Sequence, residues 1–246
     1  MYKRQVSEQA LRGETARPCE LVGGGPVPAD TARRIACDAS VTAITVDDRG
    51  ENSIVVSPGA NSRISAADVD RASAVLLTAT VTLLQLEIPL EAVTAAAEAS
   101  AGIVILNAAP AAMLPDVLVQ STDVLVVNSG ELEALTGSVD PISARGLPIP
   151  VTVVTLGAGG ARIVRAETDE AIPAPAVDPV DTTGAGDTFC GALAAGLDQG
   201  LSLETSVRRA VVAGSIAVTA VGARSGMPNL SNLAAALHVH GLEGAR

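Results

Sequence analysis

The amino-acid sequence predicts an α/β fold, a mostly parallel sheet flanked by helices with a small β appendage, and three observations predict it. Short runs rich in Val, Ile and Leu recur between residues 74 and 156, separated by alanine-rich stretches of helical character. Strands that are apolar throughout, rather than alternating, are those buried on both faces, as in parallel sheets covered by helices. Ahead of them, Val41 to Val46 and Ser53 to Val56 flank the polar break Asp47-Asp48-Arg49-Gly50-Glu51-Asn52 and read as a separate hairpin. Finally, Val180-Asp181-Thr182-Thr183-Gly184-Ala185-Gly186-Asp187-Thr188-Phe189 closes a polar turn, opens an apolar helix and leaves one carboxylate at the junction.

The elements follow in order. Residues 1–40 carry Gly23-Gly24-Gly25 followed by Pro26 and Val27, which reads as a turn with no strand leading into it. After the hairpin, Ser57-Pro58-Gly59-Ala60-Asn61 forms a second turn, and Ser65 with Asp68 three residues on can cap a short helix. Strands are then expected at Ala74 to Leu77, Leu83 to Glu87, Gly102 to Asn107, Asp123 to Asn128 and Val151 to Leu156. Helices are expected at Glu91 to Ser100 and Gly130 to Leu135, with two short strands near Ala161 to Val164 and Ala171 to Val177. Helices from Thr183 to Asp198 and Glu204 to Val221 close the pattern, followed by a loop holding Gly222, Gly226 and Pro228. These features divide the chain into an atypical segment 1–40, a β region 41–64, a core 65–236 and a tail 237–246.

Composition narrows the chemistry. A chain of 246 residues buries roughly 70% or more of its unfolded surface, enough for one main core. With 27 acidic against 16 basic residues and a formal charge of -11, binding to nucleic acid or to anionic lipid is not expected. No apolar stretch has the length of a membrane span and no signal-peptide core is present, so a cytoplasmic location is expected. Cys19, Cys37 and Cys190 form no CxxC and read as reduced thiols. The two histidines, His238 and His240, fall in the expected tail, which leaves acid–base work to Asp and Glu.

In a parallel sheet, ligands gather at the carboxyl ends of the strands. Glu87, the pair Asn128 and Glu131, and Thr155-Leu156-Gly157-Ala158-Gly159-Gly160 all fall at such ends. Each has a plain structural reading: a solvated strand end, a first-turn acid favoured by the helix dipole, and a tight hairpin. Asp187 has one as well, as a carboxylate that caps a helix. The sharper reading starts from the unpartnered N–H groups of a helix N-terminus at Gly184 to Gly186, where a phosphate can accept hydrogen bonds. A carboxylate beside them could take a proton from a hydroxyl that attacks that phosphate.

The ordered segments resemble the ribokinase branch of the PfkB carbohydrate kinases from about residue 41 to about residue 236. They are GENSIVVSPGAN at 50–61, LLQLEIPLEAV at 83–93, ILNAAPA at 105–111, NSGELEALTG at 128–137, TLGAGG at 155–160, DTTGAGDTF at 181–189 and IAVTAVGARSGMP at 216–228. The resemblance implies a ribokinase-like α/β fold in which the hairpin is a lid. It implies ATP-dependent phosphorylation of D-ribose to D-ribose 5-phosphate, with Asp187 as general base and the Gly184, Ala185 and Gly186 amides as the anion hole. Glu87 would contact the ribose hydroxyls. Asn128 and Glu131 would order water around Mg²⁺ and the phosphates, and Thr155, Leu156, Gly157, Ala158, Gly159 and Gly160 would line the ATP. A potassium ion would sit behind the turn, held by Asp181 and by carbonyls of Thr183, Ala217, Ala220 and Gly222, with Gly226 nearby. The lid would form a homodimer interface. A kinase for another sugar or nucleoside, and a non-catalytic nucleotide-binding relic, are the alternatives.

Departures from the pattern accompany the matches. The early Asp and the glycine-rich sugar-gripping segment of the family have no counterpart, so the N-terminal βαβ portion is expected to be absent. The link from Gly137 to Val151 is short, and Val211 stands where the family places an Asn or His near the adenine.

Overall fold

In a computed structural model the described residues are 41–46, 52–57 and 59–239, with side chains described from residue 59 onward. The expectations for residues 1–40, for the turn at 47–51 and for His240 lie outside them. The described residues fall into two compact units, one drawn from residues up to Ser65 together with Glu87–Pro89, the other from Ala66–Leu86 and Leu90 onward.

In the smaller unit, β1 (Val41–Val46) and β2 (Asn52–Ser57) pair antiparallel, with Ile44 opposite Ile54, which is the expected hairpin. A 3-10 turn over Gly59–Arg63 follows.

The larger unit is built on a six-stranded sheet in the order β3 (Val81–Gln85), β4 (Ile103–Asn107), β5 (Val124–Asn128), β6 (Val151–Thr155), β7 (Ala161–Val164), β8 (Asp169–Ile172). The first four strands run parallel, and β7 alone is reversed, pairing antiparallel with both β6 and β8, so the sheet is mostly parallel, as the sequence predicts. Helices α1 (Ala66–Leu76), α2 (Leu90–Ala99), α3 (Asp116–Gln120), α4 (Ser129–Thr136), α5 (Ala185–Asp198), α6 (Leu203–Ala217) and α7 (Leu230–Val239) complete it. Val153 and Val154, neighbours on β6, are both fully buried, which explains why the strands lack polar alternation. On one face Ile105, Val124, Val126, Val153 and Ile163 pack with Phe189, Cys190 and Leu193 of α5 and with Val207, Ala210 and Val211 of α6. Val211 is therefore a core residue, 5% exposed.

Several elements differ from expectation. The strand expected at 74–77 is the C-terminal end of α1, where Val75 and Leu77 are exposed rather than sheet-buried. Ala66-Ala67, Ala72 and Ala74 carry helical propensity through that apolar run. The last strand stops at Ile172 because Pro173 and Pro175 cannot donate to a ladder. Helix α6 ends at Ala217 instead of 221, because the Val218 carbonyl accepts from the Val180 and Asp181 amides and the following residues turn away. A helix also forms at Leu230–Val239, started by Asn229, whose side chain accepts from the Asn232 amide at 2.8 Å. His238 lies in its last turn and not in a tail. Helix α3, five residues long, was too short to show a period in the sequence.

Candidate active site

The parallel strands end in polar side chains. Gln85 is the register partner of Asn107, Asn107 of Val126, and Asn128 of Thr155. Side chains alternate across a sheet, so the parity of this register puts Gln85, Asn107, Asn128 and Thr155 on the face that carries α5 and α6.

Helix α5 delivers its first turn to the same end. Gly184 is its N-cap residue, in the left-handed conformation at φ 78°, and supplies no side-chain cap. A Cβ there would lie 2.6 Å from the Ala223 carbonyl oxygen, so glycine is required by the backbone and by the loop behind it. A Cβ at Gly186 would meet nothing within 4 Å, so this part of the helix end opens to space that a ligand can enter. The Thr188 amide returns to the Gly184 carbonyl at 2.9 Å, whereas the Gly186 and Asp187 amides precede the helical ladder and point outward. Asp187 is exposed, and one of its carboxylate oxygens accepts from Gln85 Nε2 at 3.2 Å.

Asp181 ties this turn to the loop after α6. Its Oδ1 accepts from the Thr183 amide at 2.9 Å and its Oδ2 from the Gly222 amide at 2.8 Å. Hydrogen bonds from the Thr183 side chain and from the two amides hold its carboxyl below the usual carboxylate range. Ala217 and Gly226 meet closely in the same loop, since a Cβ on Gly226 would press into the Ala217 carbonyl oxygen. Asp181, Ala217, Gly222 and Gly226 are thus gathered in one region, with Ala217 and Gly226 buried against each other.

At the end of β5, Asn128 and Glu131 form a reciprocal cap on α4. The Asn128 side chain accepts from the Glu131 amide, and Glu131 accepts from the Asn128 amide, each at 2.8 Å. The plain structural reading of Glu131 therefore holds, and one carboxylate oxygen is left over. Burial raises its pKa, while the Asn128 amide pulls the other way. The Cys190 thiol, buried one turn along α5 from Asp187, is pushed up to about 12 by burial and then by the charges of Asp187 and Glu131. Both carboxylates thus act on one point, and the thiol is inert.

Thr155-Leu156-Gly157-Ala158-Gly159-Gly160 is the turn joining antiparallel β6 and β7, closed by the Leu156 amide on the Gly160 carbonyl at 2.8 Å. Gly160 is buried at φ 89°, and a Cβ would run into the Ile172 carbonyl oxygen, so packing explains it. Gly157 is exposed and has open space around it. Glu87 lies two residues beyond the end of β3, exposed, in the smaller unit. The structure adds Gln85 and Asn107 to the candidate residues. Asn107 was readable in the sequence as the polar residue ending an apolar strand, whereas Gln85 was hidden by the expectation that its strand runs on to Glu87.

A helix N-terminus aimed outward at the carboxyl end of a doubly covered parallel sheet defines a phosphate-handling α/β protein. The pattern of the pfkB family carbohydrate kinases matches residues 31–230, and the chain belongs to that family. It is 36% identical over 197 residues to a ribokinase of Haemophilus influenzae, covering 75% of this chain and 64% of the relative. It is also 36% identical over 240 residues to a deoxyribokinase of Salmonella typhi, covering 92% of this chain and 78% of the relative. Among solved structures, a ribokinase from Thermotoga maritima superposes with a TM-score of 0.74 at 33% identity, covering 81% of this chain and 69% of that one. A ribokinase from Arabidopsis thaliana complexed with ribose and ATP gives 0.69 at 30% identity, covering 80% and 68%. The chain thus spans less than two thirds of the Haemophilus relative's length. Among the described residues, no helix is long and apolar enough to cross a membrane.

Proposed function

We propose that this chain transfers the γ-phosphoryl group of ATP to the primary hydroxyl of D-ribose, giving D-ribose 5-phosphate and ADP. The observation that supports it is the position of Asp187. Its carboxylate stands one residue past the open helix end at Gly186, beside amides with no helical partner, where the parallel strands finish. Asp187 takes the hydroxyl proton as the sugar oxygen bonds to the γ-phosphorus and the bond from that phosphorus to the β,γ-bridging oxygen breaks. A positioned base contributes typically about 10²–10⁴ in rate. Charge spreading onto the transferring group is met by the Gly184 and Gly186 amides; the Ala185 amide, expected in the anion hole, already donates to the Thr182 carbonyl at 3.3 Å.

Glu87 takes ribose hydroxyls in this reading, a role that rests on the family pattern alone. Thr155 to Gly160 lines the nucleotide, with Gly157 the residue whose surroundings leave room for it. Bound Mg²⁺ would neutralise phosphate charge; the free oxygen of Glu131, reached through water, with Asn128, suits an ion that keeps most of its waters. Potassium suits the oxygen set of Asp181 with the Thr183, Ala217, Ala220 and Gly222 carbonyls. Asp181 is held ionised, and of the four lone-pair sites on its oxygens the Thr183 side chain and the two amides take three. The reaction is placed in the cytoplasm, and the 41–64 lid is proposed to pair with a second copy. Sedimentation as a monomer at micromolar concentration would overturn the pairing.

The test incubates the chain with MgATP, potassium and a panel of pentoses, and follows ADP release and the product's ³¹P and ¹³C spectra. A phosphate ester on the primary carbon of ribose is expected. The length of the match to the Salmonella deoxyribokinase favours 2-deoxyribose as the second substrate to try. A folded chain that binds ATP and phosphorylates no sugar would make it a nucleotide-binding relic instead.

A further inference from the structure

We infer that Gln85 and Asn107 are positioning residues that set the orientation of the Asp187 carboxylate; the inference rests on Asp187 as the base. Three hydrogen bonds, each at 3.2 Å, run across the ends of three strands. Asn107 Nδ2 donates to the Val126 carbonyl, Gln85 Nε2 donates to Asn107 Oδ1, and Gln85 Nε2 donates to an oxygen of Asp187.

The direction of every bond in this chain is dictated by its fixed end. A backbone carbonyl can only accept, so the Asn107 atom facing Val126 must be its NH₂ group, and its oxygen must face Gln85. That oxygen is also only an acceptor, so Gln85 must present its NH₂ group there. The second hydrogen of the same nitrogen is then directed at Asp187, whose ionised oxygen accepts it. No flip of either amide satisfies all three bonds, which is how side-chain amides are assigned from a network. Register makes the arrangement possible, because Gln85 pairs with Asn107 and Asn107 with Val126 across β3, β4 and β5. Gln85 and Asn107 are half-buried, whereas Asp187 is exposed, so the donors are more firmly held than the group they orient.

One carboxylate oxygen is held by Gln85, which leaves the other to face an incoming hydroxyl.

The test reads the network directly, in ¹⁵N–¹H spectra of the side-chain amides of the full chain at neutral pH, with the Gln85 pair assigned by its loss in Gln85→Met. Asp187→Ala and Asn107→Leu each remove one acceptor of that pair, and each should shift it. In sugar-dependent turnover, Gln85→Met keeps the length of the side chain and removes the donor; it should lower kcat about tenfold with the KM values for sugar and ATP unchanged. Asn107→Leu, which frees the Gln85 amide to rotate, should lower kcat the same way by less. Unmoved Gln85 resonances in folded Asp187→Ala, or a wild-type kcat in folded Gln85→Met, overturn the inference. Failure of the base reading shows differently: Asp187→Asn would then keep sugar-dependent turnover while the Gln85 resonances still moved in Asp187→Ala.

Discussion

Asp181 carries more of the local structure than its exposure suggests. It accepts one amide from its own turn and one from the Gly222 loop, so its ionised form joins two segments that bond otherwise only through the Val218 carbonyl. Because its folded pKa lies below the unfolded value, its contribution is present above about pH 4 and is lost as pH falls through the folded value. Denaturant titrations of wild type and Asp181→Asn should therefore differ most near neutrality and converge in acid. Gly160 makes a second contrast. Gly160→Ala should cost about 1–3 kcal/mol from its backbone conformation alone, and more from the Ile172 carbonyl, whereas Gly157→Ala meets no atom and should cost less. Urea midpoints of the two variants check the order. Glycines of identical appearance in TLGAGG thus have different reasons, which the sequence could not separate because the deciding atom belongs to β8.

Among the elements, the parallel strands were readable because burial on both faces leaves an unbroken apolar run, and α5 because Gly184 precedes small apolar residues. What escaped was decided by distant partners. Helix α1 absorbed an apolar run expected as strand, and α6 was cut short by the Val218 carbonyl's bonds to residues 180 and 181. The candidate site was legible where a polar residue interrupts apolar sequence, as at Asp187 and Asn128. The bond from Gln85 to Asp187 spans 102 residues and has no local signature. Helix α6 offers a control far from the chemistry. Its N-cap Ser202 accepts from the Thr205 amide at 3.2 Å, so Ser202→Ala should lower stability by about 0.5–2 kcal/mol. Sugar phosphorylation by that variant should match wild type.

At the scale of the molecule, the -11 charge makes a local cluster of amides, rather than a basic surface, the means of holding phosphate. ATP that binds only the folded chain should stabilise it by about 2.7 kcal/mol at a hundred times its Kd, and thermal melts with and without MgATP read this. The central claim is that a kinase base stands at the open end of α5. Its most direct measurement is the ribose-dependent rate of ADP formation in Asp187→Asn, with folding verified by circular dichroism and by an unchanged melt. A loss of about 10²–10⁴ relative to wild type is the predicted result; a folded Asp187→Asn chain turning over ribose at the wild-type rate would contradict it.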